Sequence, residues 1–151
     1  MGTRSLITFI KLDPETKKEM PLVAIYQMYD GYLDGVGKEL CEWLSKKKMI
    51  NGLGFHQNTD EYANGIGCLA AQFIRDFKTG VGGLYIYPID CEKRWIDYSY
   101  DVIIDNQIYF PLEGIPVADL TKIRVSNWQY KPFFKGTVEE LMKYKEPEED
   151  G

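Results

Sequence analysis

The fold depends on residues 26–39, which read Tyr26-Gln27-Met28-Tyr29-Asp30-Gly31-Tyr32-Leu33-Asp34-Gly35-Val36-Gly37-Lys38-Glu39. An apolar run typical of a β-strand ends at the turn pair Asp30-Gly31, and a helix-forming run begins a few residues later. Glycines allow a backbone to approach a ligand closely, and tyrosine rings can stack on it. The stretch therefore predicts a strand, a recognition loop and a helix in that order.

The segments around this stretch predict a hairpin followed by two helices. Thr3–Leu12 and Leu22–Tyr29 have the β-branched, alternating composition of strands, and a polar turn joins them. Apolar residues recur at helical spacing near residues 35–47 and 65–78. We expect both helices to pack through large side chains, namely Leu40, Trp43, Leu44, Phe73 and Phe77.

The second half of the chain predicts a meander and a last helix. Strands are expected at 84–89, 94–104 and 107–112, with a further edge strand at 122–126. In the second of these strands the residues on one side are Ile96, Tyr98, Tyr100, Val102 and Ile104. A capping box at Thr137 and Glu140 predicts a short helix to residue 145.

These elements predict an α+β fold. We expect a single antiparallel β-sheet with two main helices packed on one face and a short C-terminal helix. Residues 1–145 are expected to form a single domain, and residues 146–151 an acidic, flexible tail.

Composition excludes several classes of function. The net charge of −5 and the absence of a long basic stripe argue against a nucleic-acid polymer as partner. No segment is long and apolar enough to predict a membrane span. The three cysteines include no Cys-x-x-Cys pair, so the sequence predicts neither disulfides nor a thiolate metal site. We expect a cytoplasmic protein without a metal or another cofactor.

No catalytic signature is complete. Gly35-Val36-Gly37-Lys38 resembles part of a phosphate-binding loop, but Tyr32 and Glu39 replace the glycine and the hydroxyl residue that the motif requires. His56 is the only histidine and falls in a polar segment, where a solvated side chain is the simpler interpretation. We therefore assign no catalytic residue and favour a binding protein over an enzyme. Paired carboxylates stay open as an alternative.

The candidate ligand-binding residues are aromatic, acidic, basic or glycine. The sequence has eleven tyrosines, and their hydroxyls need partners, which suits a pocket for a planar ligand but also an ordinary sheet. Glycines that open the second helix leave N–H groups free for an anion, although they serve packing equally well. Arg4 offers a bidentate anion contact or a surface ion pair. The candidates are Arg4, Tyr29, Asp30, Tyr32, Gly65, Gly67, Tyr85, Tyr87 and Tyr98.

Five segments resemble those of a family of small proteins from phages, large DNA viruses and bacteria. They are Gly2-Thr3-Arg4-Ser5, Tyr29-Asp30-Gly31-Tyr32, Asn64-Gly65-Ile66-Gly67-Cys68-Leu69-Ala70-Ala71-Gln72, Gly82-Gly83-Leu84-Tyr85-Ile86-Tyr87-Pro88 and Asp97-Tyr98-Ser99-Tyr100-Asp101. The resemblance covers most of the chain up to about Ile104. It implies no catalytic residue and suggests a virus-linked setting, with the host cytoplasm as the compartment.

The leading functional hypothesis is a protein that captures a small anionic, nucleotide-like ligand. In a virus such a protein would serve counter-defence as a sponge for nucleotide immune signals. One alternative is a nucleotide phosphodiesterase that uses Asp30 with a metal or another acid. The other is a protein-interaction module that blocks a host protein through exposed tyrosines. The sequence leaves a homo-oligomer open.

Overall fold

The computed structural model describes residues 2–52, 59, 61–107 and 109–146. His56 lies outside the described residues, and so does the predicted acidic tail apart from Glu146. Within the described part no helix is long and apolar enough to cross a membrane.

The described residues form an α+β fold. The strands are β1 (Ser5–Leu12), β2 (Glu19–Gln27), β3 (Lys48–Ile50), β4 (Tyr62–Asn64), β5 (Leu84–Tyr87), β6 (Tyr98–Asp105), β7 (Ile115–Pro116), β8 (Thr121–Ser126) and β9 (Pro132–Thr137). The helices are α1 (Lys38–Ser45), α2 (Ile66–Phe77), α3 (Val117–Leu120) and α4 (Val138–Lys143). A π-helical turn, Leu33–Gly37, leads into α1.

The main sheet is mixed, so the prediction of a single antiparallel sheet is wrong. Its six strands lie in the order β5-β2-β1-β6-β8-β9, and β1 and β6 run parallel. The chain crosses over through α1 and α2 before β6 begins, and such a long crossover is what parallel neighbours require. Six consecutive residues of β1 are buried, as expected for a central strand covered on both faces.

A second sheet of three short strands, in the order β4-β3-β7, was not predicted. Two further predictions fail. The described residues of 107–112 form no strand, and β8 is not an edge because β9 pairs beyond it. The capping box is confirmed: the Thr137 hydroxyl accepts from the N–H of Glu140 at 3.0 Å, and the Glu140 carboxylate accepts from the N–H of Thr137 at 2.9 Å.

The larger part of the core lies between the main sheet and the helices. Leu40, Leu44 and Phe73 are fully buried there, and Trp43 and Phe77 are partly buried beside them. The Phe73 ring centroid is 5.5 Å from that of Phe9 on β1. We call this side of the main sheet the helix face.

A smaller apolar cluster covers part of the other side, which we call the open face. Leu6, Ala24, Tyr26 and Ile96 are buried in it, and Trp95 packs against them. Ile96 was predicted to share a side with Tyr98 and Tyr100. It lies instead before β6 begins, in the segment that folds over the open face.

Candidate functional site

At one end of the main sheet, each of the six strands either begins or ends. We call this row of strand ends the upper edge, as distinct from the two outermost strands. The registers place Ser5 of β1 beside Gln27 of β2 and Tyr98 of β6. The same edge holds the start of β5, the end of β8 and the start of β9. Loops on a rigid scaffold are where binding side chains collect. The upper edge is therefore the first place to consider for a site.

The N-terminal segment and the loop after β2 are locked together at the upper edge. The Gly31 N–H donates to the Thr3 carbonyl at 2.9 Å. A Cβ atom on Gly31 would lie 2.6 Å from Cβ of Ser5, which is fully buried. Gly31 is required because another part of the same chain occupies the space of a side chain. The close backbone approach at Gly31 is therefore to another segment of the same chain.

The start of β6 joins the same cluster through the main chain of Arg4. The Arg4 carbonyl accepts from the N–H groups of Asp97 and Tyr98, and the Arg4 N–H donates to Oδ2 of Asp97 at 2.8 Å. The buried Tyr100 hydroxyl donates to the Gly31 carbonyl at 2.7 Å. Burial raises the pKa of Tyr100 far above its ordinary value, so this hydroxyl stays protonated. Three segments that are distant in sequence therefore form one hydrogen-bonded unit.

The backbone of Asp30 directs the chain into α1. Asp30 has a left-handed conformation, with φ of 57°, and its carbonyl accepts from the N–H of Val36 at 2.8 Å. A Cβ atom on Gly35 would collide with this carbonyl. The two residues thus serve the entry into the helix. The Asp30 side chain is exposed and remains accessible to a ligand.

A groove of about 680 Å³ runs along the upper edge beside the end of α4, and we call it the aromatic groove. The rings of Tyr98 and Phe133 stand at 71° to each other with centroids 6.3 Å apart, and Tyr144 lies 6.3 Å from Phe133. Trp128 is 61% exposed. The groove therefore presents aromatic faces that a planar ligand can reach. Its lining comprises Thr3, Asp97, Tyr98, Asn127, Trp128, Phe133, Tyr144 and Glu146.

The aromatic groove has two carboxylates in its lining, Asp97 and Glu146, and Arg4 lies beside the first of them. Nε of Arg4 lies 3.5 Å from Oδ2 of Asp97, and both side chains are about two-fifths exposed. The Tyr98 hydroxyl donates to the Glu146 carboxylate at 2.9 and 3.1 Å. Arg4 is thus in the surface ion pair that the sequence left open, with a single contact longer than a bidentate pair would make. Most of its five N–H donors remain for another partner.

A second, smaller depression of about 250 Å³ lies on the other side of the loop after β2. We call it the Asp30 pocket. Two carboxylates, Asp30 and Glu39, line it together with the glycine pair before β5. The Gln27 amide donates to the Tyr29 carbonyl at 2.8 Å and so holds one wall. The full lining is Gln27, Tyr29, Asp30, Glu39, Phe77, Thr79, Gly82, Gly83 and Leu84.

The predicted site residues do not form one site. Tyr98 lines the aromatic groove and Arg4 contacts its Asp97, whereas Tyr29 and Asp30 line the Asp30 pocket. Tyr32 is 42% exposed in the loop between them.

The predicted tyrosines of β5 lie on the opposite side of the sheet. Tyr85 and Tyr87 pack around Tyr26 on the open face, with centroid distances of 6.0 and 5.1 Å. Tyr98 belongs to the helix face, where it packs with Phe133. Neighbouring residues of a strand point to opposite faces, so the face of each tyrosine depends on the register of its own strand. The sequence alone did not reveal that these tyrosines lie on opposite faces.

Gly65 and Gly67 are in the lining of neither depression. They lie at the start of α2, whereas Phe77 at its end lines the Asp30 pocket. A twelve-residue helix separates the two places by about 18 Å. A ligand that contacts both these glycines and Asp30 would have to span this distance.

The sequence reasoning missed most of the aromatic groove. Asn127 and Trp128 belong to the turn between β8 and β9, and Phe133 belongs to the start of β9. The Asn127 side chain accepts from the N–H groups of Gln129 and Lys131 and shapes this turn. A run of aromatic residues around an asparagine turn was the available signal.

Lys38, which resembled a phosphate-loop lysine, has a structural role. Its ammonium group donates to the carbonyls of Leu141, Met142 and Tyr144 at 2.8, 2.7 and 3.1 Å. Carbonyls at a helix end lack intrahelical partners, and a cation there is favourable. Lys38 therefore holds the end of α4 and, through Tyr144, one wall of the aromatic groove.

The described residues contain no group of three or more His, Cys, Asp or Glu side chains that could hold a metal ion. Among the depressions of the described structure, the aromatic groove and the Asp30 pocket have predicted site residues in their lining, and the interpretation of function rests on these two. The resemblance to viral and bacterial proteins stays a prediction, because comparisons with protein-family models, curated proteins and solved structures find no match to this chain.

Proposed function

We propose that the protein binds a small, planar, nucleotide-like ligand in the aromatic groove. The observation that carries the proposal is a groove with several aromatic faces in its lining, one carboxylate of which, Asp97, is paired with the partly exposed Arg4. A base would stack on the rings of Phe133 and Trp128, since stacking on aromatic side chains tolerates different bases. Arg4 would bind the anionic group of the ligand through its N–H donors.

The charges of the groove limit which anions suit it. A ligand anion has to replace Asp97 beside Arg4, and it also approaches the carboxylate of Glu146. The protein as a whole carries a net charge of −5. Each further negative charge on the ligand therefore meets repulsion. The groove favours a ligand with one or two phosphates over a polyphosphate.

Calorimetry and thermal unfolding against mononucleotides, cyclic dinucleotides and ADP-ribose derivatives test this proposal. Arg4→Gln and Phe133→Leu should each weaken binding about tenfold or more, which corresponds to about 1.4 kcal/mol. Asp97→Asn should strengthen binding, because it removes the carboxylate that competes for Arg4. Arg94→Gln is the matched control, since Arg94 is highly exposed and pairs with Glu92, which is not part of the groove lining. Absence of heat and of thermal stabilisation across the whole panel would refute the proposal.

Capture without turnover would suit a sponge for a nucleotide immune signal. This role agrees with the viral setting that the sequence resemblance implies. A protein of this kind would lower the free concentration of the signal in proportion to its own concentration. Recovery of an unaltered nucleotide after denaturation of the bound protein would separate a sponge from an enzyme.

One observation favours a second candidate function, a hydrolase of nucleotide esters. Asp30 and Glu39 line the same pocket, and two carboxylates around a scissile bond can act as general acid and general base. Nucleotide turnover that is lost in both Asp30→Asn and Glu39→Gln, with unchanged melting, would support it. Asp34→Asn is the control, because Asp34 is exposed on the same loop outside the pocket.

A further inference from the structure

The two outermost strands of the main sheet, β5 and β9, differ in how well they are protected against pairing with a further strand. β9 begins at Pro132 and carries Lys135, both of which oppose the addition of another strand. β5 at the other edge reads Leu84-Tyr85-Ile86-Tyr87 and has no charged side chain. Ile86 is 66% exposed and Ile89 beyond the strand is 49% exposed. β5 is therefore an uncovered, apolar edge.

The backbone of β5 has hydrogen-bonding groups that point away from the sheet. The N–H of Met28 donates to the carbonyl of Gly83. Met28 and Gly83 are therefore a hydrogen-bonded pair that continues the register of β2 and β5. Such pairs alternate along an antiparallel ladder, so Tyr85 and Tyr87 direct their backbone groups to β2. Leu84 and Ile86 consequently direct theirs outward, on the side of β5 where no strand of the described residues pairs with it.

We propose that two copies of the protein associate by antiparallel pairing of β5 with β5, which joins their main sheets. A two-fold axis perpendicular to the sheet pairs only residues that lie on the same face. Tyr85 of one copy then lies opposite a tyrosine of the second copy. Ile86 of one copy lies opposite either Ile86 or Leu84 of the second copy. Aromatic residues meet on the open face and aliphatic residues on the helix face.

The charges around β5 also favour a second copy. The ammonium group of Lys78 donates to the Gly82 carbonyl at 2.6 Å, so it lies at the start of β5. The exposed Asp90 follows shortly after the end of β5. Antiparallel pairing brings the start of one strand beside the end of the other. Each Lys78 thereby approaches the segment of the second copy that carries Asp90, and this happens twice in the dimer.

The length of β5 limits the strength of the dimer. Pro88 has no N–H and ends the ladder directly after Tyr87. Only about four hydrogen bonds can join two such strands. The dimer should therefore dissociate on dilution, and its formation does not involve the lining of the aromatic groove.

Sedimentation velocity over a range of protein concentrations tests the proposal. Wild type should shift from monomer to dimer as the concentration rises, and Ile86→Lys should weaken association by about tenfold or more. Leu112→Lys is the matched control, because Leu112 is 84% exposed and lies in no strand. Far-UV circular dichroism checks that Ile86→Lys keeps the fold.

A charge exchange gives an independent test of the antiparallel arrangement. Lys78→Glu should weaken the dimer, and Lys78→Glu combined with Asp90→Lys should restore it. A wild-type protein that stays monomeric at every concentration would overturn the proposal. So would a dimer that Ile86→Lys leaves intact, or one that the double exchange fails to restore.

Discussion

The helix face and the open face of the main sheet are stabilised in different ways. On the helix face α1 and α2 bury large side chains such as Phe73 and Leu44 against the strands. On the open face the apolar cluster is small, and the strands beyond it carry an ionic network instead. There Arg124 donates to both oxygens of Glu19 at 2.9 and 3.0 Å and to Asp101 at 2.9 Å.

The difference shows what a sheet needs where no helix covers it. A covered face gains stability from apolar burial, which grows with the area removed from water. A face without a helix can use long polar side chains that shield the strands and satisfy one another. Changes on the helix face should therefore cost more stability than changes on the open face.

The largest effect is expected from Phe73→Ala on the helix face. Phe73 is fully buried and its ring packs against Phe9, Trp43 and Phe77. Removal of the ring leaves a cavity and should lower the free energy of unfolding by about 3–5 kcal/mol. Urea unfolding measures it, with Leu22→Ala on the half-exposed Leu22 as a control that should change little. A small loss for Phe73→Ala would mean that the core is assigned wrongly.

A smaller loss is expected from Tyr100→Phe. The change removes the buried hydroxyl that donates to the Gly31 carbonyl and keeps the ring in place. A buried carbonyl left without its donor costs about 1–3 kcal/mol. Thermal unfolding at pH 7 measures the loss. Val102→Ala on the same face is the comparison for packing. Val102 is buried and has no polar group, so its truncation removes packing without removing a hydrogen bond. An unchanged melting temperature for Tyr100→Phe would contradict a structural role of this bond.

Lys38→Met should destabilise the contact between α1 and α4 by about 1–2 kcal/mol, since it removes a charged donor from the carbonyls that end α4. The aliphatic part of the side chain is preserved. Lys143→Met is the control, because Lys143 pairs with the exposed Glu139 one turn away. If the proposed function is right, Lys38→Met should also weaken ligand binding through Tyr144, whereas Lys143→Met should not. Equal losses in both variants would contradict the role of Lys38.

The smallest effect is expected on the open face and depends on pH. Hydrogen bonds from Arg124 lower the pKa of Glu19 below its usual value. A carboxyl whose pKa is lower in the folded state stabilises the protein above its unfolded pKa, and this contribution disappears as pH falls through the folded value. Wild type should therefore exceed Glu19→Gln by up to about 1 kcal/mol at pH 7.

Urea unfolding between pH 7 and pH 3 measures this difference, which should shrink below the usual pKa of glutamate, near 4.5. Glu15→Gln serves as the control because Glu15 is exposed in the turn before β2. A difference between wild type and Glu19→Gln that grows towards low pH would have the wrong sign and would exclude this explanation.

Local elements were predictable where one residue pattern settles the structure. The prediction for the second helix, residues 65–78, differs from α2 by one residue at each end, because apolar residues recur at helical spacing and glycines flank it. The first two strands form the predicted hairpin, since a short polar turn leaves few other pairings. The short strands β3, β4 and β7 were missed because two or three residues carry too little periodicity.

The candidate site was predictable only in part. Arg4 and Tyr98 were identified by residue type and do lie together, because the Arg4 main chain pairs with the start of β6. Phe133 and Tyr144, which line the groove with Tyr98, come from the last part of the chain, and only the placement of β9 and α4 brings them there. Residue type indicates what a side chain can bind, whereas the partners around it depend on long-range pairing.

The sequence by itself determined the α+β composition, the entry into α1 and the capping of α4, since these follow from contacts between residues a few positions apart. Only the tertiary structure decided that β1 and β6 run parallel, that Tyr85 and Tyr98 lie on opposite faces, and that Gly31 packs on Ser5. The periodicity of a strand states which residues share a face but not which distant strand becomes its neighbour. That choice depends on how the crossover and the helices together bury the most apolar surface.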